Sequence, residues 1–387
     1  MNPLRRHWTL DPAVAFLNHG SYGACPAEVL ARQAELRARL EREPVRFFQD
    51  ELEPGLDRAR AALGALLGAD PEGLALLPNA TTGVNTALRS FPLAAGDELL
   101  VTDHAYNACR QALEEVAAAA RARVVVAAVP FPIESPDQIA DALLRAVTPR
   151  TRLALIDHVT SPTALVFPVE RLVPELRARG VETLVDGAHA PGMLPLAVDR
   201  LGAAYYAGNC HKWLCAPKGA GFLWVRPDLR AATRPLVVSH GRNSPRTDRS
   251  RFRLEFDWTG TADPTAFLCL PDALRFLQGL FPGGFEELYR RNHEAAVAAQ
   301  GILCRSLGLA APCPPAMLGS MASVPLPDGD AEALHEALFE QGFELPIFPW
   351  PAAGKRVLRV SLPAYAAVDE VERLASSPAA RSLRSGP

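Results

Sequence analysis

Short apolar runs alternate with longer amphipathic segments through the first two thirds of the chain. The runs are nearly continuous in Leu, Val, Ile and Ala, which is typical of strands buried on both faces, and the segments between them have apolar residues at helical spacing. The predicted strands are 74–77, 98–101, 124–129, 153–156 and 183–185, and the predicted helices between them are 82–90, 107–121, 137–147 and 169–179. This alternation predicts an α/β fold, with a mainly parallel sheet covered by helices on both faces.

The pattern changes on either side of this region. Residues 26–70 have helical spacing interrupted at Pro44, and residues 240–265 are polar, rich in Arg and predicted as a loop. The tail predicts helices at 264–280, 284–307 and 330–341 and strands at 319–326, 343–347 and 356–362. We therefore predict three parts: an N-terminal segment 1–25, a large domain 26–262 and a small C-terminal α+β domain 263–387.

Three acidic residues mark where a ligand would bind. Asp103, Asp157 and Asp186 each follow or end an apolar run. In open α/β sheets, ligands bind beyond the carboxyl ends of the strands, so this edge is the predicted site.

Composition narrows the possible classes of protein. The chain has 387 residues, is 49% hydrophobic and carries a formal net charge of −3, so it has no basic footprint for nucleic acid or an anionic membrane. No apolar run has the length of a membrane span or a signal peptide. Its seven cysteines form no C-x-x-C pair, which predicts no metal site and favours a reducing, cytoplasmic location.

Lysine usage points to a particular chemistry. Only Lys212, Lys218 and Lys355 are lysines among 40 basic residues. An amine can lose its proton and condense with a carbonyl, which a guanidinium cannot do. Asp186 comes shortly before Lys212, and a carboxylate for a ring nitrogen with an amine for an aldehyde is the arrangement expected for pyridoxal phosphate (PLP).

Further residues fit the same cofactor, although each also has an ordinary explanation. Thr81 and Thr82 open a helix and offer donors to a phosphate, but hydroxyl residues there are also common helix caps. His104 and Tyr106 both qualify to stack on the cofactor or to act as an acid or base, and the sequence does not choose between them. Arg359 in an apolar strand suits a carboxylate, or an ordinary salt bridge.

Together these segments resemble the class V aminotransferase group of fold type I PLP enzymes, and in particular its isopenicillin N epimerase-like branch. The resemblance runs from about residue 15 to about residue 375. It is carried by 17–23 (LNHGSYG), 44–48 (PVRFF), 79–82 (NATT), 186–189 (DGAH), 211–214 (HKWL), 217–219 (PKG), 258–261 (WTGT) and 359–361 (RVS).

The resemblance implies a role for each matching residue. Lys212 should bond the cofactor aldehyde and move the Cα proton, Asp186 should pair with the ring nitrogen, and His189 should contact the ring hydroxyl. Thr81, Thr82, Asn209 and His211 should bind phosphate, joined by Thr261 from the other subunit of a homodimer whose active sites lie at the interface, and Ala80 is a further cofactor-binding residue. Arg359 should bind the substrate carboxylate, and Asn18, His19, Gly20 and Arg46 should line the substrate pocket.

The implied reaction is epimerisation or racemisation at the α-carbon of an amino acid or derivative. Lys212 could serve one face, and His104, Tyr106 or His19 the other. The alternatives are a C–S lyase, such as a hercynylcysteine sulfoxide lyase-like enzyme in which Tyr106 would protonate sulfur, an aminotransferase, or a silent PLP-binding regulator that would tolerate Lys212→Ala. A persulfide-carrying desulfurase is disfavoured, because residues 343–359 contain no Cys.

Overall fold

The computed structural model describes residues 2–384 of the chain. The strands of this part, in chain order, are β1 (Ala15–Phe16), β2 (Leu74–Leu77), β3 (Glu98–Thr102), β4 (Arg123–Ala127), β5 (Thr151–Asp157), β6 (Glu182–Gly187), β7 (Tyr205–Asn209), β8 (Gly221–Val225), β9 (Met321–Leu326), β10 (Phe343–Glu344), β11 (Ile347–Phe348) and β12 (Arg356–Ser361).

The α-helices of the same part are α1 (His19–Tyr22), α2 (Ala27–Arg42), α3 (Pro44–Arg46), α4 (Leu52–Leu67), α5 (Ala80–Ser90), α6 (Asn107–Ala120), α7 (Pro136–Ala146), α8 (Val169–Arg177), α9 (Val198–Leu201), α10 (Arg251–Phe256), α11 (Thr265–Leu268), α12 (Leu270–Gln278), α13 (Gly284–Leu307), α14 (Ala331–Glu340), α15 (Val368–Ala375) and α16 (Pro378–Arg381). A π-helical turn, Phe47–Glu51, joins α3 to α4. Among the described residues, no helix is both long and apolar enough to cross a bilayer.

A seven-stranded sheet forms the centre of the molecule. Its strand order is β2-β8-β7-β6-β5-β3-β4, and β8 alone runs against its neighbours. Alternate strand residues belong to different apolar clusters: Leu99 and Val101 pack on one side of the sheet, and Leu100 packs on the other. Helices α5 and α6 cover the first face, and α7 and α8 cover the second. The predicted α/β fold is confirmed.

The parallel strands bring their carboxyl ends to one edge of this sheet. Strands β5 and β6 are in register there, with Asp157 opposite Asp186. Asn209 ends the next strand, β7. Because register partners on parallel strands project to the same face, the two carboxyl groups are neighbours.

A second, smaller sheet has the order β11-β12-β9 and packs with α13, α14 and α15. The N-terminal segment joins it, because β1 pairs with β10 and the Ser361 N–H donates to the Leu17 carbonyl over 2.8 Å. The proposed division at 25/26 and 262/263 stays a prediction, and Met1 and residues 385–387 lie outside the described part.

Two predictions of local structure were wrong. Residues 240–265 are not all loop, because α10 buries Phe252 and Phe256 against the core beside α5 and α6. The strand predicted at 343–347 is two short strands, β10 and β11, with Pro346 between them. Proline has no N–H to donate to a ladder, which is why the strand is broken there.

Candidate active site

One cavity lies at the carboxyl edge of the large sheet, beneath the short helix α1 of the N-terminal segment. Of the residues predicted for the site, it brings together Ala80, Thr81, Tyr106, Asp186, His189, Asn209, His211 and Lys212. Its wall also contains Asp157, which the strand-end pattern had marked, and residues to which the sequence assigned no role: Ser21, Tyr22, Asn79, Val159, Ser161 and Ala188.

Lys212 follows β7 by three residues and presents its amine to this cavity. Burial of the charged form, and next the positive charge of Arg359, lower the pKa of the amine to about 8. The Lys212 Nζ atom lies 3.4 Å from Nε2 of His189. A lysine with this pKa is partly unprotonated near neutral pH, which is the form that attacks a carbonyl.

His189 favours the unprotonated amine. The Trp213 indole N–H, which can only donate, points at His189 Nδ1 over 3.4 Å, so the proton of the neutral ring is on Nε2. Burial, followed by the charge of Lys212, holds the pKa of His189 far below its usual value. An N–H on Nε2 can donate to a neutral amine but not to an ammonium.

Asp186 and Asp157 form a pair of carboxyl groups on the cavity floor. Asp186 accepts hydrogen bonds from the Ala188 N–H over 3.0 Å and from the Cys109 thiol over 3.1 Å. Burial and the nearby charge of Asp186 raise the pKa of Asp157 well above its usual range. Asp186 thus has two hydrogen-bond donors facing it, and its charge is one of the causes that disfavour ionisation of Asp157.

The first turn of α5 forms another wall. Asn79 caps the helix by accepting from the Thr82 N–H over 2.8 Å, and the Ala80 N–H donates to Asn209 Oδ1 over 2.8 Å. Thr81 lines the cavity in this turn, whereas the Thr82 hydroxyl is turned back to Asn79 over 3.0 Å. The Ala80 and Thr82 N–H groups are thus occupied by side chains, and the wall suits an anion through Thr81 and the positive end of the helix.

His211 stands beside this wall as a neutral ring. Its Nδ1–H donates to the Ala220 carbonyl over 2.8 Å, which leaves Nε2 without a proton. Burial lowers the pKa of His211 to about 4. An anion in contact with Nε2 would favour the protonated ring and so gain a donor.

The structure places Tyr106 in the cavity wall and does not bring His104 there. Tyr106 is 45% exposed, and its pKa is raised by burial and by nearby acidic groups, so the phenol keeps its proton. His104 is fully buried, with hydrogen bonds to the Thr163 hydroxyl over 2.7 Å and to the Val129 carbonyl over 3.0 Å. With both ring nitrogens occupied, His104 supports the loop that carries Tyr106.

Arg359 lies in β12 just behind the cavity lining and is 1% exposed. Its Nη1 donates to the Ser161 carbonyl over 2.7 Å, its Nη2 donates to Ser21 Oγ over 3.1 Å, and its guanidinium lies 5.0 Å from the centre of the Phe348 ring. Its Nε has no hydrogen-bond partner among the described residues. Burial lowers the pKa of Arg359 to about 10, which leaves it cationic at neutral pH.

The N-terminal segment fixes the loop of Lys212 from above. His19 receives the Ala24 N–H on Nδ1 over 3.2 Å, so its Nε2–H donates to the Lys212 carbonyl over 3.0 Å. Burial lowers the pKa of His19 to about 3, and the ring is fully buried. His19 thus holds the backbone of Lys212 and does not reach the cavity.

Asn18 and Gly20 also act through their neighbours. Asn18 Oδ1 accepts from the Ser21 hydroxyl over 2.5 Å, and Ser21 lines the cavity. The Gly20 N–H donates to Ser361 Oγ over 3.0 Å, and a Cβ at Gly20 would lie 2.6 Å from the sulfur of Met321. A side chain at position 20 would therefore have to displace the Met321 sulfur.

Two predicted residues lie outside this cavity within the single chain. Arg46 is on the surface, 3.6 Å from Glu43. Thr261 is exposed and lines a separate surface hollow with Val45, Phe48 and Trp258. Neither residue is among those that line the cavity of the single chain.

The sequence held signals for some of the residues that were missed. Ser161 follows β5 by four residues, so the strand-end rule that selected Asp157 would have included it. Cys109 is two residues into α6, where no pattern distinguishes it from other small core residues. Only the tertiary structure brings its sulfur, at the start of α6, to Asp186 on β6.

The groups around the cavity fit PLP. Lys212 supplies an amine for the aldehyde, Asp186 a carboxylate for the ring nitrogen, and the first turn of α5 an anion-binding wall for the phosphate. The unpartnered Nε of buried Arg359 indicates that a further acceptor belongs nearby.

Comparison with known proteins gives a consistent picture. A sequence model of the family described as aminotransferase class-V matches residues 25–374. An isopenicillin N epimerase of Amycolatopsis lactamdurans is 39% identical over 96% of this chain and 96% of its own. A probable chloroplastic L-cysteine desulfhydrase of Arabidopsis thaliana is 32% identical over 94% of this chain and 82% of its own.

A solved structure supports the fold. A C-DES mutant with glycine covalently linked to its PLP cofactor superposes with a TM-score of 0.81 at 23% identity, covering 96% of this chain and 98% of that one. At 23% identity this superposition supports the fold alone. Membership of the family rests on the sequence comparisons.

Proposed function

The chain belongs to the class V aminotransferase family of PLP-dependent enzymes, and we propose that it epimerises an amino acid or amino-acid derivative at its α-carbon. The observation that supports the proposal most strongly is that Lys212 and Tyr106 line the same cavity. The chain is also similar to isopenicillin N epimerases over nearly its whole length. Epimerisation needs a proton-moving group on each face of the α-carbon, and this pair offers two.

The cofactor contributes one thing to the reaction: when bound, it draws electrons away from the α-carbon and makes the Cα–H acidic. Asp186 would present its carboxylate to the ring nitrogen, and His189 would offer its Nε2–H to an oxygen on the ring. The first turn of α5, with Asn209 and His211, would hold the phosphate. Together these contacts would fix the position of the reacting carbon.

The remaining residues act on the substrate. Arg359 binds the carboxylate, with Ser21 and Ser161 holding its guanidinium in place. The Lys212 amine takes the Cα proton on one face. Tyr106 returns a proton on the other face, because its raised pKa keeps the phenol protonated at neutral pH. A proton returned to the opposite face inverts the configuration.

A C–S lyase is the second candidate, and the similarity to L-cysteine desulfhydrases favours it. The first step is shared, since Lys212 removes the same proton. A substrate with sulfur on its β-carbon would then lose that sulfur, and Tyr106 would protonate it. The two reactions differ in the fate of the β-substituent and not in the residues described.

Proton NMR in D₂O separates the candidates. The protein with PLP is mixed with L- and D-amino acids, including S-substituted cysteines. Exchange of Cα–H with an intact side chain and formation of the opposite isomer supports the epimerase. Loss of the β-substituent with pyruvate supports the lyase. Retained exchange in Lys212→Ala would contradict the role given to Lys212, and the absence of any exchange while PLP is bound would contradict catalysis at Cα.

We also infer a homodimer located in the cytoplasm. Thr261 lies on the surface beside an apolar hollow lined by Val45, Phe48 and Trp258, and such hollows are common at protein interfaces. A second copy seated there would carry Thr261 towards its phosphate wall. The seven cysteines are free and buried, which suits a reducing compartment.

A further inference from the structure

Cys109 is a buried residue at the cavity that the proposed mechanism does not use. It lies in the first turn of α6, is 1% exposed, and its Sγ atom is 3.1 Å from Oδ2 of Asp186. The other oxygen of Asp186 accepts the Ala188 N–H over 3.0 Å. Cys109 therefore contacts the oxygen that the backbone leaves free.

The direction of this hydrogen bond follows from the groups involved. A carboxylate can only accept, so the thiol donates. Burial and the adjacent charge of Asp186 raise the pKa of the Cys109 thiol, which keeps its proton in place and makes it a poor nucleophile. A role as a reactive cysteine is thereby excluded, and a role as a hydrogen-bond donor is left.

Several elements surround Asp186 with titratable groups. These are Tyr106 and Cys109 at the start of α6, Asp157 on β5, Tyr206 on β7, and Lys212 after β7. Lys212 is a cation when protonated. Burial raises the pKa values of Asp157, Tyr106 and Tyr206 and so favours their neutral forms. The hydrogen bond from Cys109 therefore acts directly on the negative charge at Oδ2 of Asp186.

We propose that Cys109 is a positioning residue that orients Asp186 and, as a weak thiol donor, leaves it enough negative charge to hold a cationic ring nitrogen of PLP. A stronger donor at this place would draw charge from the carboxylate, and no donor would leave the charge undiminished. This inference rests on the role given to Asp186 under the proposed function. It concerns binding of the cofactor and not the fate of the substrate.

Cys109→Ser and Cys109→Ala test the inference, because they change the donor in opposite senses. The measurement is a pH titration of the absorbance of bound PLP, together with the dissociation constant of PLP. When the ring nitrogen of PLP is protonated, its positive charge lowers the pKa of the nearby Lys212 nitrogen, because two like charges repel each other. We expect Cys109→Ser to raise the midpoint pH of the absorbance titration and Cys109→Ala to lower it, each by about 0.5–1 pH unit. We also expect Cys109→Ser to weaken PLP binding about threefold to tenfold.

Cys269→Ser is the matched control, because Cys269 is also fully buried but lies away from the cavity. It should leave the midpoint and the PLP affinity unchanged, whatever it does to thermal stability. Equal midpoints in all variants, or shifts of the same sign for Ser and Ala, would overturn the inference. Since these readouts need no substrate, they are independent of whether Cα exchange is observed.

Discussion

Burial makes the central lysine reactive at the scale of single residues. The amine of Lys212 is shielded from water, repelled by Arg359 and faced by the Nε2–H of His189. Each of these effects disfavours the ammonium. The same surroundings raise the pKa of Asp157 well above its usual range, so the ionisation of a cavity group depends on its neighbours as well as on its residue type.

The pH dependence of cofactor attachment follows from the lowered pKa of Lys212. The neutral amine increases about tenfold per pH unit below its pKa and then levels off, so the rate of PLP attachment to the apoprotein should be half-maximal near pH 8 and level off above it. Stopped-flow absorbance measures this rate. Arg359→Met removes a positive neighbour and should move the half-maximal point to higher pH. A half-maximal point near the ordinary lysine value of about 10.4 would contradict the account.

At the scale of elements, glycine allows α1 to lie against the loop of Lys212. Gly23 ends α1 with φ +70°, and a Cβ there would lie 1.9 Å from the carbonyl oxygen of His211. The Lys218 amine donates to the Gly23 carbonyl over 2.9 Å on the same side. The N-terminal segment and the loop of Lys212 are thus packed backbone against backbone.

Gly23→Ala should therefore cost more than an ordinary substitution of a left-handed glycine. Gly180 is the matched control, since its φ is +77° and nothing lies within 4 Å of a Cβ there. Gly180→Ala should lower the free energy of unfolding by about 1–2 kcal/mol from conformation alone. Gly23→Ala should lower it by several kcal/mol and weaken PLP binding. If urea denaturation gives the same loss of unfolding free energy for Gly23→Ala and Gly180→Ala, then the contact between Gly23 and the His211 carbonyl is not tight.

Strand and helix prediction succeeded where local pattern and burial agree, as in β2 and α13. It missed β7 and β8, whose residues include Gly208 and Gly221, because glycine has a weak preference for strands. It missed α10, because the Arg-rich surroundings hide the two buried Phe residues. In each case a tertiary contact outweighs local preference.

At the scale of the whole molecule, the site is incomplete if Thr261 belongs to the phosphate wall. Within one chain Thr261 lies outside the cavity, in the surface hollow with Trp258. A dimer related by twofold symmetry would repeat any such contact at both sites. The proposed homodimer can then be tested with heterodimers, in which one site combines intact residues from two differently mutated chains.

Mixing two defective chains tests the shared site. Lys212→Ala lacks the amine, and Thr261→Glu places a negative charge against the phosphate. Refolded together, heterodimers hold one intact site in two, so about a quarter of all sites should retain PLP after borohydride reduction. Each variant alone should retain little. No recovery in the mixture would place Thr261 outside the partner's site, and a mass near 41.6 kDa in light scattering would exclude the dimer.

The sequence by itself determined the strand–helix alternation, the sheet edge at which the cavity lies, and the chemical types of several side chains at that edge, because apolar periodicity and strand ends are local properties. It also selected Lys212, Asp186 and Arg359, since few residue types perform their chemistry. Tertiary structure alone decided that Tyr106 and not His104 lines the cavity, that His19 holds the backbone of Lys212, and that Cys109 meets Asp186. These contacts join residues far apart in the chain, and only packing sets the direction in which each side chain points.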